Sequence, residues 1–475
     1  MIKIDHFKDK LNLSIGVSLF LLQGNMMAQE TNRPNILFIL TDDQRWDELG
    51  YAGNKVIQTP EMDRLANEGV YFRNAFITSP ISGASRASIL TGVRERTSGY
   101  VMGAKVPATP YMNLSYPAVL HENGYYTGFF GKLGIRYNES TSIFNESDSY
   151  DRDDRQPNRK GYYYKTIDND TVHLTTYTSY QAQQFLKDAP TNKPFCLSLS
   201  FSAPHAHDSS KEQYFWDKKY DHLYEDITIA PPLLREDQYF NALPKEVKDG
   251  FNRVRWFWRY DTPEKYQQSM KGYYRMISQV DHEIGQIRKT LEEKGLAENT
   301  VIIFMGDNGY FTGERQLAGK WLMYENSLRV PMIVYDPRYK KHKDINSPVL
   351  NIDVPFTILD LAAVPVPDHY QGLSLCDYYI KGRKPVHRKA ILFEHLWEKK
   401  EIPSSEAIRT DRWKYLRYRF INAPEELYDL KNDPLEIRNL ALNPSYRKVI
   451  DKLRKECDAQ VKKYSEASLE KNNLK

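Results

Sequence analysis

Three cysteines stand in 475 residues, Cys196, Cys376 and Cys457. They are too few and too scattered for a disulfide framework, and their spacing does not suggest a metal site. An excess of one charge is also missing. Against 66 Lys and Arg stand 62 Asp and Glu, a net charge of +4. That balance argues against nucleic acid as a partner, because such proteins concentrate basic charge in a footprint. No apolar run reaches the length of a membrane span. No internal repeat or low-complexity linker breaks the chain, which sets aside repeat architectures. What is present is an ordinary globular composition, 41% hydrophobic and 27% charged, on a chain long enough for a large core domain and a smaller one. Tyrosine is abundant, at 34 residues, which suits either a sugar-binding surface or a tyrosine-rich core.

The N-terminus reads as a targeting segment. Lys3, Lys8 and Lys10 precede an apolar stretch from Leu11 to Leu22, and Ala28 suits a small-residue cleavage site. Residues 1–28 are therefore expected to be a signal peptide. No cysteine near that site offers a lipid anchor.

From residue 35 the chain alternates short apolar runs with helical patterns. NILFIL (35–40), YYTGFF (125–130), FCLSLSF (195–201) and VIIFM (301–305) read as buried strands. PEMDRLANEGV from Pro60 reads as a helix, with Thr59 as N-cap and proline in the first turn. A long helix is expected over 263–294. The alternation predicts an α/β domain, a large mostly parallel sheet flanked by helices. After about Leu375 the style changes. KAILFEH, SEAIRT and RWKYLRYRF resemble an antiparallel meander, followed by a helix over 444–465, so a smaller C-terminal α+β domain is expected. The expected division is 29–375 and 376–475. The polar stretch 138–160 reads as a surface loop or insertion.

The chemistry collects at strand ends. Asp42 and Asp43 follow the first strand, Gly131 and Lys132 the second, His205 and His207 the third, Asp307 and Asn308 the fourth. In open α/β sheets the C-terminal edge of the strands binds ligands. Any one pair alone would suit a solvated turn; four together favour a shared site. Asp42, Asp43, Asp307 and Asn308 offer only oxygen, as hard cations such as Ca²⁺ or Mg²⁺ require. The two histidines follow a different strand and neither accompanies an aspartate pair, so a single hard cation is preferred to zinc. In ISGASRASILTG (81–92), helical character follows a break at Gly83. Ser82 is then close to a helix N-terminus that favours an anion, with Arg86 one turn on. The same residues also suit a capped helix start with a surface arginine. A plain serine would need a general base, and none is evident nearby.

These residues resemble the type I sulfatases, relatives of alkaline phosphatase. Ser82-Gly83-Ala84-Ser85-Arg86, running on to Leu90-Thr91-Gly92, is similar to their signature. PNILFILTDDQ, GYYTGFFGK, APHAH, GDNGY, GKWLMYENSLRVP and ELYDLKNDPLEIRNLA follow in the family's order, from Pro34 to Ala441. The resemblance implies that a maturation enzyme oxidises Ser82 to formylglycine. It implies a calcium ion held by Asp42, Asp43, Asp307, Asn308 and modified Ser82. Arg86, Lys132 and Lys320 would stabilise the transferring sulfuryl group, and His205 would protonate the leaving alkoxide. A sulfated glycosaminoglycan or mucin sugar is the expected substrate, and the periplasm or exterior of a bacterium the expected location.

Two departures mark this chain. Where the family often has Gly-Lys-Trp-His, it has Gly131-Lys132-Leu133-Gly134, so a histidine is missing that His207 is a candidate to replace. Arg315 follows Glu314 where many relatives have histidine, and suits an anionic or hydroxylated substrate. His395, Glu406 and Arg409 of the C-terminal part are candidates for the sugar pocket, with roles on the strand surface equally open. A phosphoester or phosphonate hydrolase, and a sulfoglycan-binding protein with unmodified Ser82, are the alternative readings.

Overall fold

A computed structural model describes residues 33–102, 109–136, 143–150, 160–208 and 210–469. The expected signal peptide lies outside the described residues. Eight strands form the main sheet: β1 (Asn35–Thr41), β2 (Val70–Phe72), β3 (Tyr126–Gly131), β4 (Glu146–Ser149), β5 (Phe195–Ser200), β6 (Thr300–Gly306), β7 (Met332–Tyr335) and β8 (Lys343–Ile345). Their order is β8-β2-β7-β6-β1-β5-β3-β4, and only β7 runs against the others.

The expected mostly parallel sheet is present, and its apolar runs have a physical reason. Every residue of β1 is buried because helices cover both faces. Ile36, Phe38 and Leu40 pack on the side of α2 (Ser82–Thr91) and α6 (Asp353–Leu361). Leu37 and Ile39 face α1 (Pro60–Glu68), α3 (Leu174–Asp188) and α5 (Pro263–Glu293). Helix α4 (Phe251–Arg259) leads into α5.

Three local expectations change. Thr59 stands at the N-cap of α1 but makes no side-chain cap; its hydroxyl accepts from Gly50 N and donates to Asp63 instead. Gly83 does not precede α2 but lies inside it, since the helix begins at Ser82. The 138–160 stretch is not all loop: its described part contains β4, paired with β3 at the sheet edge. Edge exposure permits polar residues there, so composition alone read as loop. The abundant tyrosines serve the interior in many cases, with Tyr71, Tyr116, Tyr273 and Tyr310 fully buried.

The C-terminal sheet has four strands, one more than the meander read from sequence: β9 (Ile391–His395), β10 (Ser405–Arg409), β11 (Trp413–Tyr418) and β12 (Glu426–Asp429), antiparallel in chain order. Alternate residues split between two cores. Leu392, Ile408, Tyr415 and Leu427 meet Ile450, Leu453 and Cys457 of α7 (Arg447–Glu466). Ile391, Phe393, Ala407 and Leu416 pack against Phe76, Phe311 and Tyr324 of the larger part. No described helix is long and apolar enough to cross a membrane.

Candidate active site

The four strands that end in ionisable residues are neighbours in the sheet, in the order β6-β1-β5-β3. Adjacent strands lie about 4.8 Å apart, so their C-terminal ends deliver side chains into one volume. Asp307 N bonds to Thr41 O at 2.9 Å and Asp42 N to Ala203 O at 3.0 Å, tying the β6, β1 and β5 exits together. At Asp43 the backbone turns to φ 68°. Its N–H then donates to Asp307 Oδ1 at 3.0 Å, and Tyr273 OH from α5 holds its carbonyl at 2.7 Å.

Ser82 enters this volume at the first residue of α2, whose ten residues are all buried. Its Oγ lies 3.1 Å from both Asp42 Oδ1 and Asn308 Oδ1. Lys320 Nζ donates to that Oγ at 2.7 Å, to Asn308 Oδ1 at 3.1 Å, and to Asp43 Oδ1. Lys132 Nζ pairs with Asp42 Oδ2. Gly131, the residue before it, has to be glycine: at φ 119° a Cβ would lie 2.0 Å from Ser200 O.

Arg86 is no surface arginine. It is 2% exposed, and its Nε donates to Asp307 Oδ2 at 2.8 Å. Nη1 donates to Lys132 O at 2.7 Å and to Ser200 Oγ. Each carboxylate of the site thus has a close cationic partner, Lys132 for Asp42, Lys320 for Asp43 and Arg86 for Asp307. Burial raises the Asp42 carboxyl, but Lys132, His205, Arg86 and Lys320 outweigh it and hold the group well below the usual range. Asp43 is also lowered; burial raises it, and His205 and Lys320 prevail. Asp307 is raised, by burial and then by the charge of Asp42, which Arg86 and Lys320 only partly offset.

His205 reaches the aspartates from the end of β5. Its Nδ1 hydrogen-bonds the Ala206 carbonyl. A carbonyl only accepts, so Nδ1 carries the proton there. Nε2 then faces Asp43 Oδ2 at 3.4 Å.

The donor set fits a hard cation. Ligand atoms of Asp42, Asp43 and His205 lie within 4.8 Å of one another, and Ser82 and Asn308 add oxygens to the same volume. Asp43 Oδ2 is buried and accepts no hydrogen bond among the described residues, and added positive charge would also relieve the raised Asp307. Oxygen predominates and no thiolate contributes, which is the chemistry of a calcium centre.

The other candidates lie elsewhere. His207 is buried, its ring 6.0 Å from Tyr163 and 5.4 Å from Phe215. Arg315 donates to the Leu435 and Glu436 carbonyls and lies over Tyr324, bracing the C-terminal part. His395 is fully buried in β9, and burial, with Arg419 nearby, pushes its pKa down to about 3. Glu406 is held by Arg96 at 2.5 Å and Arg417 at 2.8 Å. Arg409 pairs with Glu325 at 3.0 Å and lines a separate cavity of about 650 Å³. The missing histidine also has a local cause. Gly134 has φ 72°, and a Cβ there would lie 2.7 Å from Arg86 Cδ. Sequence reading missed Tyr273 and Ser200, which orient Asp43 and Arg86; nothing distinguishes them from core residues of α5 and β5.

A buried nucleophile position at a helix start, an oxygen-rich cation site and three clamping cations define a metal-assisted hydrolase of anionic esters. The chain belongs to the sulfatase family: the family model described as "Sulfatase" matches residues 34–364, and the model "N-sulphoglucosamine sulphohydrolase, C-terminal" matches 313–463. It is a sulfuric ester hydrolase of the formylglycine-dependent type, within the alkaline phosphatase superfamily. Among curated relatives, an N-acetylglucosamine-6-O-sulfatase of Bacteroides thetaiotaomicron is 28% identical, covering 93% of this chain and 89% of its own. An arylsulfatase of Clostridium perfringens is 29% identical, over 89% and 93%. A structure solved in complex with its substrate D-glucosamine-2-N,6-O-disulfate superposes with a TM-score of 0.75 at 25% identity, covering 91% of this chain and 98% of that one.

Proposed function

We propose that this enzyme removes sulfate from a sulfated carbohydrate, a glycosaminoglycan or mucin-type glycan, with Ser82 matured to formylglycine. The observation that carries the reading is Ser82 Oγ at the start of α2, within 3.1 Å of Asp42, Asn308 and Lys320. The relatives named for N-acetylglucosamine-6-O-sulfatase activity and for a disulfated glucosamine substrate support the sugar class.

Oxidation of Ser82 by a maturation enzyme would give a hydrated aldehyde whose hydroxyl oxygen displaces the sugar oxygen from sulfur and which later expels sulfate. Calcium, held by Asp42, Asp43, Asp307, Asn308 and residue 82, would supply Lewis-acid stabilisation of the negative charge. Lys132 and Lys320 neutralise charge on the sulfuryl oxygens as it develops. Arg86 contributes its charge from behind Asp307. His205, as the imidazolium beside the Asp43 carboxylate with Nδ1–H kept on the Ala206 carbonyl, donates its Nε2 proton to the departing sugar alkoxide. His207, Arg315, His395, Glu406 and Arg409 stand as candidates for saccharide contact. Their buried and ion-paired settings make them supports of the pocket before they are contacts.

We assign residues 29–375 to the catalytic domain, 376–475 to the C-terminal domain, and 1–28 to export into the periplasm or medium of a bacterium. Mass analysis of the residue 82 peptide tests the maturation: loss of about two mass units, the two hydrogens of the serine alcohol, is expected. An intact serine in active protein from the native host would overturn it, and intact serine in inactive protein would favour sulfoglycan binding alone. Parallel turnover of aryl sulfate and aryl phosphonate tests the ester class. A phosphonate monoester hydrolase from Silicibacter pomeroyi shares the fold at 20% identity and a TM-score of 0.72, so a phosphonate preference is the competing outcome.

A further inference from the structure

Lys320 reaches the reaction centre from an unusual stretch of backbone. It stands between Gly319 at φ 102° and Trp321 at φ 82°, both left-handed. The short ladder that pairs Ala318 and Gly319 with Thr312 and Phe311 ends just before it. A left-handed φ on a residue as bulky as tryptophan is strained, and it persists only where the surroundings over-determine it. We propose that Asn252 and Arg255, both on α4, are positioning residues that hold this backbone and so set where the Lys320 ammonium lies. The proposal rests on the role given to Lys320 above and adds what keeps that lysine in place.

Asn252 grips the backbone on both sides of Gly319. The residue is 2% exposed, and its Nδ2 donates to Ala318 O at 3.0 Å and to Lys320 O at 2.9 Å. An amide nitrogen carries two protons, so each carbonyl takes its own. A third bond closes the frame. Trp321 N donates to Pro80 O at 3.0 Å, which ties the Lys320 segment to the chain entering α2 just before Ser82.

Arg255 fixes the side-chain half of the same turn. Its guanidinium lies 4.3 Å over the Trp321 ring. It also packs on Gly319, where a Cβ would come within 2.9 Å of Nη1. Glycine at 319 thus serves twice, by accepting the left-handed backbone and by admitting the guanidinium. Arg255 is itself pinned, since it shares Asp208 with Arg259. The placement that results is exacting: Lys320 Nζ donates to Ser82 Oγ at 2.7 Å, to Asn308 Oδ1 at 3.1 Å and to Asp43. A charge that stabilises a transition state works only where it is aimed, and a displacement of about 1 Å can cost about 10² in rate.

The test measures kcat/KM on an aryl sulfate with matured, calcium-loaded enzyme, for wild type, Lys320→Ala, Asn252→Leu and the double variant. Lys320→Ala and Asn252→Leu are each expected to lose activity, the second by about tenfold. The double variant should be no slower than Lys320→Ala alone, because Asn252 acts only through that lysine. Arg255→Met, which fills the space over Trp321 without charge and leaves Arg259 to hold Asp208, should show the same non-additivity. It keeps the test standing where Asn252→Leu does not fold. Losses that multiply fully with that of Lys320→Ala would make both residues general supports of the fold and overturn the proposal; full activity of both single variants would do the same. Full activity of Lys320→Ala would overturn instead the role of Lys320 in sulfuryl transfer, and its positioning with it.

Discussion

Arg86 Nε donates to Asp307 Oδ2 at 2.8 Å, in a pair shut off from solvent. The family signature places an arginine four residues after the nucleophile, and here that arginine acts first on Asp307, a carboxylate proposed to hold the cation. Its second branch, to Lys132 O and Ser200 Oγ, joins the exits of β3 and β5 to the same guanidinium.

Removing this guanidinium therefore damages more than substrate contact. Arg86→Ala leaves Asp307 buried without its partner, a change that costs about 3–5 kcal/mol for a broken internal pair. Melting temperature is expected to fall and kcat/KM to drop by at least about 10². Arg86→Lys should recover part of the stability, yet little activity, because one ammonium cannot replace the fork. A stable, calcium-binding Arg86→Ala protein would refute this assignment.

Restoring the histidine that many relatives carry should harm this enzyme. In Gly134→His the new Cβ meets Arg86 Cδ at 2.7 Å on a backbone with φ 72°, and Arg86 is pinned at both ends. A lower melting temperature and lower kcat are expected. Higher activity would show that the histidine is missed after all.

Calcium should be as much a structural ion as a catalytic one, because it compensates carboxylates that are wholly buried. Chelation is expected to lower the melting temperature and abolish turnover, with calcium restoring both. At calcium 100-fold above its Kd the ion contributes about 2.7 kcal/mol. Magnesium should restore less, since it demands a tighter octahedral shell. Melting indifferent to chelator would argue against a bound ion.

Two buried groups away from the reaction centre make opposite contributions to the pH profile of stability. Burial, aided by Glu394, pushes the Glu95 carboxyl up to about 8, and burial holds His395 at about 3. Between pH 3 and 6.5 the unfolded chain binds the extra proton at His395, so that group makes stability rise with pH. Between 4.5 and 8 the folded chain holds the extra proton at Glu95, so this group makes stability fall. From 4.5 to 6.5 the contributions of these two groups oppose each other. Each group contributes at most about 1.4 kcal/mol per pH unit within its window. Chemical denaturation across pH is the measurement, and Glu95→Gln should flatten the decline between 6.5 and 8.

Much of this was legible in the sequence because the signals are local. A strand buried on both faces has to be an apolar run, as 35–40 is, and the loop after it has to carry the ligands. Asp42, Asp43, Asp307 and Asn308 could thus be grouped before any coordinates. β4 was illegible, because an edge strand tolerates the polar ESDS. So was the fourth strand of the small sheet, hidden in the family segment from Glu426.

The sequence by itself determined the class of fold, a helix N-terminus close to Ser82 and the set of groups available to it, since strand burial and signature spacing are properties of neighbouring residues. Only the tertiary structure decided who meets whom. Strand order β6-β1-β5-β3 brings His205 to Asp43 and Arg86 to Asp307, and it turns Tyr273 from a core residue into the support of a ligand. Those pairings depend on which strands lie side by side, and spacing along the chain carries no record of that.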